Sequence, residues 1–438
     1  MRGEHTRAVG SASNHQHPLT VVAKVPGSRQ ALVDDLTSCN ERVLARLAEV
    51  DTLHYARFVV FEGNDGAARL AFESNYDGDE ASHLHELEQR LGADLEVILG
   101  HCEGYTRGDF AGFVRSHRVL PSMYYRAHMG LTARQIRNDR DVRRAIQSWL
   151  DAEDAARRLE TLRPAEIAHG LVAAVRAAGL QIGPVDRGLP AQPEGWMGLL
   201  AQLLSFYLPA ELGLAGIAAL AFEPRDAIDE RLHPPVLISE HDPGLDALIV
   251  EEDAQSQNGL TVVVPVKPWL FGKSVGGKPG LFRLTALRLA LSAVEQAHRR
   301  LYYKGTLGGI PSIHFARWAL LDDGTLLFLS DYDGSWDNYL SDFIDKSHWF
   351  LTAIWTNTRW FPDTHALLFK GATAELRFKQ WTRTFQVPNQ IWYSAYEELS
   401  VRNVLDNANV RTLAGGPLQT PGDIHQFLRA VSVPGAPQ

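Results

Sequence analysis

Only two of the 438 residues are cysteine, Cys39 and Cys102. Two thiols exclude a disulfide framework and a zinc-finger spacing, and they suit a reducing, cytoplasmic compartment. Positive charge is also short. Against 43 lysines and arginines stand 52 aspartates and glutamates, a formal net charge of −9. A general nucleic-acid binder needs a basic face to displace counterions from phosphates, so no nucleic-acid partner is expected. Residues 1–18, MRGEHTRAVGSASNHQHP, hold no apolar stretch. They read as a disordered tail rather than a secretory signal, with His15 and His17 solvated. Complete catalytic words are missing: no H-E-x-x-H, no C-x-x-C pair, no G-x-S-x-G. GKSVGGKP (272–279) approaches a phosphate loop, but Pro279 stands where a hydroxyl residue would hold magnesium.

What the chain has in plenty is self-similarity. HYARFVVF (His54–Phe61) returns as HFARWALL (His314–Leu321). LTVVAKVPG (19–27) matches LTVVVPVKP (260–268), and RLAFESNYDGD (69–79) matches TLLFLSDYDGS (325–335). SMYYRAHMGLTARQIRNDRDVRR (122–144) matches QIWYSAYEELSVRNVLDNANVRT (390–412). Four matches in one order imply a duplicated unit.

Each copy reads as strand, helix, strand, strand, helix, strand. TVVAKV is short and β-branched, and residues 28–50 carry a helical stripe of Leu32, Leu36, Val43, Leu44 and Leu47. LHYARFVVFE and ARLAFESNY form a hairpin turned by Asn64-Asp65-Gly66. Residues 80–92 read as a helix closed by Gly92. That order is the ferredoxin-like βαββαβ unit. The fold expected is α+β, two such units packed sheet to sheet with a helical insert between them. The divisions are a tail at 1–18, one repeat at 19–150, an insert at 151–259 and a second repeat at 260–430.

Within the shared words, His54 and Arg57, like His314 and Arg317, lie three apart on a strand. Strand alternation sends them to opposite faces unless a bulge intervenes. Tyr76-Asp77-Gly78 and Tyr332-Asp333-Gly334 close a strand before a helix, where an Asp can satisfy free N–H groups. Seven of the ten tryptophans fall between Trp318 and Trp392. DKSHWFLTAIWTNTRWFP gathers His348, Trp349, Trp355, Arg359 and Trp360 in this second copy.

In the insert, residues 164–180 read as an amphipathic helix. Residues 197–222 form the most apolar run of the chain, broken by Pro209 and Glu211. A central carboxylate is costly in a bilayer, so this run reads as a buried or interfacial helical hairpin, with peripheral membrane contact. Residues 231–257 read as a loop, with Glu251, Glu252 and Asp253 solvated.

The words IHFARW and FLSDYDGSWDNYLSDFIDK resemble those of a bacterial family that usually reads SNYDGS at this place. The tandem layout is similar to the dimeric α+β barrel superfamily, which includes chlorite dismutases and dye-decolourising peroxidases. That resemblance implies a haem-dependent, peroxidase-like oxidoreductase acting on a small-molecule substrate. His348, or else His314, would ligate the haem iron, with Trp349 and Trp355 against the cofactor. Arg317 or Arg359 with Asp333 would polarise peroxide. Of the peroxidase motif G-x-x-D-G only Asp333-Gly334 and Asp77-Gly78 are present, with Ser330 and Ser74 at the first position. The other readings are a non-catalytic binding or scaffold protein at a membrane surface or in a complex, and a cofactor-free oxygenase. A homo-oligomer fits any of them.

Overall fold

The computed structural model describes residues 16–155, 158–187, 243–267, 281–301, 306–307, 309–365 and 369–432. The apolar run at 197–222 and the loop at 272–279 lie outside the described residues.

The first half runs β1 (Gln16–Lys24), α1 (Arg29–Leu47), β2 (Leu53–Glu62), β3 (Ala68–Asp77), α2 (Glu80–Leu99), α3 (Phe110–His117), β4 (Met123–Arg126), α4 (Ala133–Ala155) and α5 (Pro164–Ala177). The second runs α6 (Pro243–Ala254), β5 (Gln257–Pro265), α7 (Leu281–Leu301), β6 (Ile313–Leu320), β7 (Thr325–Asp333) and α8 (Trp336–Trp355). After it come β8 (Thr364–His365), β9 (Phe369–Lys370), α9 (Glu375–Phe385), β10 (Ile391–Ser394), α10 (Val401–Ala414) and α11 (Pro421–Ser432).

Local chemistry accounts for most of these boundaries. Ser28 caps α1 by accepting from the Ala31 N–H, and Asp79 caps α2 from Ser82. Gly66 turns the β2–β3 hairpin with φ of 75°, a conformation that costs a residue with a Cβ. Three expectations are corrected. The helix at 80 continues through Gly92 to Leu99, because Leu91, Leu95, Ile98 and Leu99 extend its buried stripe. A helical glycine costs only about 1 kcal/mol, less than that burial returns. β1 begins at Gln16, inside the segment read as a tail, and Gln16 is buried. The segment read as a loop contains α6, and its Glu252 is buried against Arg383 at 2.8 Å rather than solvated.

The protein is α+β with two four-stranded antiparallel sheets. Their strand orders are β1-β3-β2-β10 and β4-β6-β7-β5. The three-strand orders β1-β3-β2 and β5-β7-β6 correspond and are compatible with a ferredoxin-like class, but each sheet takes its outermost strand from the other half. β10 pairs with β2 (Tyr393 opposite Ala56), and β4 pairs with β6 (Tyr125 opposite Ala316). A self-contained ferredoxin-like unit would instead keep its own fourth strand.

The segments leading into the exchanged strands also touch their own halves. Arg118 bridges Val21 on β1, and Gln386 bridges Val262 on β5. The Val119 N–H donates to Thr20 O at 2.8 Å, and the Val387 N–H to Thr261 O at 2.9 Å. Strand pairing therefore runs β1, β3, β2, residues 386–394, β5, β7, β6, residues 118–126, and back to β1. Among the described residues such closure leaves no long free edge for another chain to extend.

Helices cover the outside of the ring. Leu32, Leu36, Leu87 and Leu91 pack on Phe58 and Phe72, and Phe343, Leu351 and Trp355 pack on Trp318 and Phe328. A third cluster ties α4, α5, α10 and α11 together through Ile146, Leu171, Val410 and Phe427. There Arg411 meets Asp139 at 2.7 Å, and Arg143, its match in the first half, meets Asn407 at 3.0 Å.

Candidate functional site

The interior of the ring is layered. At one end lies an apolar plug of Val59, Phe61, Ala71, Val263, Ala319 and Leu327. The middle is charged. Arg57 donates to the Leu260 and Ser330 carbonyls of the opposite sheet and pairs with Asp331 and Glu73. Arg317 does the reverse, donating to the Leu19 and Ser74 carbonyls, bonding Asn75 and pairing with Glu73 at 2.8 Å. Trp392 donates to Asp331 at 3.0 Å, and its match Tyr124 donates to Asn75 at 3.1 Å.

The other end is a network of imidazoles, phenols and carboxylates. His54 and His314 reach it through β-bulges. Pairing with β3 slips between Leu53 and Tyr55, and pairing with β7 slips between Ile313 and Phe315. Each extra residue is the histidine, and the slip resets strand alternation. The histidine and the arginine three residues later therefore share the inner side, where strict alternation would have parted them.

His54 Nε2 meets Asp77 at 2.9 Å and His314 Nε2 meets Asp333 at 2.7 Å. The second oxygen of each carboxylate accepts from the first N–H of a helix, Ala133 of α4 and Val401 of α10. Each Asp thus joins a strand end to a later helix rather than to the one that follows it. The other ring nitrogens turn inward. His54 Nδ1 lies 2.8 Å from the Tyr396 hydroxyl, and His314 Nδ1 lies 3.4 Å from His128 Nε2. Tyr396 and His128 are themselves 3.4 Å apart. Gln16 Nε2 lies 3.3 Å from His128 Nδ1, and Gln257 Nε2 lies 3.2 Å from His314 Nε2.

One proton assignment fits the histidine, tyrosine and carboxylate contacts, with the Gln257 amide donating to the Tyr396 and Leu399 carbonyls rather than to His314. His54 and His314 carry their protons on Nε2, facing the carboxylates. Tyr396 then donates to His54, and His128 Nε2–H points toward His314 and Tyr396. His128 is held neutral: burial pushes its pKa well below the ordinary imidazole value, helped by the imidazoles of His314 and His54. Burial raises the Tyr396 phenol well above its usual range. Asp331 is raised to about 6 by burial, against the pull of Arg57 and with the push of Glu73.

The expected site residues divide between two places. His314, Arg317 and Asp333 lie inside the ring. His348, Trp349 and Trp355 lie on α8, across the second sheet. Trp355 is core, Trp349 is 45% exposed, and His348 is half-buried with Nδ1 at 3.1 Å from the Ile344 carbonyl. Arg359 follows α8, its guanidinium 5.9 Å from the Trp360 ring centroid. His348 and the Arg317–Asp333 pair therefore share no cavity.

The space bounded by Phe343, Leu351, Trp355 and Trp381 encloses about 20 Å³, room for about one water. Among the described residues no group of three or more His, Cys, Asp or Glu is poised to hold a metal ion.

Sequence reasoning passed over Gln16, Gln257, Glu73, His128 and Tyr396. All but Glu73 carried a signal. Gln16 and Gln257 both stand three residues before LTVV, and His128 and Tyr396 occupy one position of the last matched pair. Comparison with protein-family models, curated proteins and solved structures finds no match.

Proposed function

We propose that the protein is a binding protein that docks on a membrane surface through the outer helical layer of its second half. The observation that carries this is a lopsided apolar exposure. Of seven exposed large hydrophobic residues among the described ones, five are Ile249, Val250, Trp349, Phe369 and Leu376. Trp349 is on α8, and the others are on α6, β9 and α9, all of which pack against α8. Among the described residues of the first half only Val97 and Leu120 are exposed in this way. Exposed apolar side chains gathered on one side mark an interaction surface, and Trp and Phe suit the bilayer interface. No helix among the described residues is long and apolar enough to cross a membrane. The same reading takes the two halves as copies of one ferredoxin-like unit, sheet against sheet; their matched registers, Leu19 opposite Ser74 and Leu260 opposite Ser330, support it.

The test is co-sedimentation of the full chain with phosphatidylcholine vesicles. The wild type is expected to pellet with them. The W349S/F369S variant, altered only at exposed positions, is expected to stay largely in solution. Wild-type protein that remains in the supernatant would sink the proposal.

A further inference from the structure

In the buried network the Tyr396 phenol bonds an imidazole nitrogen, whereas the neighbouring Tyr55 hydroxyl donates to the Gln257 amide oxygen. The Tyr396 hydroxyl faces a proton acceptor, His54 Nδ1, at 2.8 Å. That acceptor is backed by Asp77 at 2.9 Å from its other nitrogen, so a proton arriving on Nδ1 makes an imidazolium already paired with a carboxylate. His128 Nε2–H approaches the same oxygen at 3.4 Å. Tyr396, His54 and His128 are all buried, which shields an oxidised ring from solvent and small reductants. A line of aromatics leads outward. The Tyr396 and Tyr55 ring centroids are 5.5 Å apart, Tyr55 and Trp392 are 6.1 Å apart, and Trp392 is half-buried. The matched position in the first half is His128, so only one half has the phenol.

From this geometry we propose that Tyr396 is a redox-active tyrosine, oxidised by one electron to a neutral phenoxyl radical as its proton passes to His54. The balance is simple. A one-electron oxidant such as hexachloroiridate takes one electron, routed through Trp392 and Tyr55, and is reduced by one. The Oη–H bond breaks, an Nδ1–H bond forms on His54, and Asp77 holds the resulting imidazolium through Nε2–H. Return of the electron reverses both transfers. Burial keeps the phenol protonated until it is oxidised. This activity goes beyond surface docking and needs no substrate cavity, since electrons cross a packed interior.

The test uses the whole protein, treated with hexachloroiridate and frozen for electron paramagnetic resonance. A long-lived tyrosyl signal is expected, reduced at least tenfold in Y396F and unchanged in Y105F. Wild-type protein labelled with ¹⁵N-histidine supplies a measurement that no variant's misfolding can obscure. The radical there is expected to show nitrogen coupling from a hydrogen-bonded imidazole. A signal that survives in folded Y396F, or a wild-type radical without nitrogen coupling, overturns the assignment.

Discussion

Arg57 and Arg317 cross the same gap in opposite directions. Arg57 leaves its own sheet for β5 and β7, Arg317 leaves its own for β1 and β3, and both meet at Glu73. One matched partner differs: a carboxylate, Asp331, for Arg57, and an amide, Asn75, for Arg317.

That difference predicts an order of damage. Arg57→Met strands Asp331 without its cation and leaves Glu73 with one arginine. Arg317→Met leaves a neutral amide, and Glu73 keeps Arg57. Breaking a buried pair costs about 3–5 kcal/mol, so Arg57→Met is expected near that range and Arg317→Met clearly below it. Urea denaturation of both variants measures the order, and equal losses would contradict it.

Asp331 gives a dependence on pH. Its folded pKa is about 6, above the ordinary value of 3.8, chiefly because of burial. The folded state then binds the proton more tightly than the unfolded chain. This group's contribution is fully present below about pH 4 and is lost as pH rises toward 6. Asp331→Asn, which copies Asn75, is expected to abolish the decline across that window. Melting temperatures from pH 4 to 7 would show it as a flatter curve.

His83 works in the other direction. It stacks on Tyr76 at 4.0 Å and bonds Ser74 at 2.9 Å, and burial lowers its pKa to about 3. Its stabilising share is present above about pH 6.5 and lost as pH falls toward 3. Tyr339 holds the matched place, stacked on Tyr332 at 4.0 Å and bonded to Ser330 at 2.6 Å. His83→Tyr is therefore expected to lower the midpoint of acid unfolding, and an unchanged midpoint would refute the role given to His83.

Asp77 ties β3 to the start of α4 through the Ala133 N–H at 2.7 Å. Asp77→Ala leaves that N–H and His54 Nε2 unpaired in a buried setting, at a cost of about 2 kcal/mol or more. Hydrogen exchange should accelerate first in the opening turn of α4. Exchange unchanged there would mean the carboxylate does not anchor the helix.

Local pattern exposed much of this architecture. β-Branched runs, helical stripes and the paired words located most strands and helices, since each is set by residues close in sequence. The exchange of β4 and β10 was not legible, because pairing Tyr125 with Ala316 across 190 residues leaves no local trace. The inward turn of His314 beside Arg317 was hidden too, since a one-residue slip reverses the side on which a strand residue falls. Asp333 accepts from a helix N–H, as an Asp closing a strand can, but the helix is α10 rather than α8. His348 drew attention by its aromatic neighbours. Of those neighbours Phe350 and Trp355 belong to the core, whereas Trp349 is exposed.

The central claim is that each half supplies the strand that completes the other's sheet. Expressing residues 1–190 and 191–438 as separate polypeptides tests it most directly. Neither is expected to give a cooperative unfolding transition alone, and the two mixed during refolding are expected to form a one-to-one complex with native-like circular dichroism. Two halves that each fold stably as monomers and ignore one another would contradict the claim.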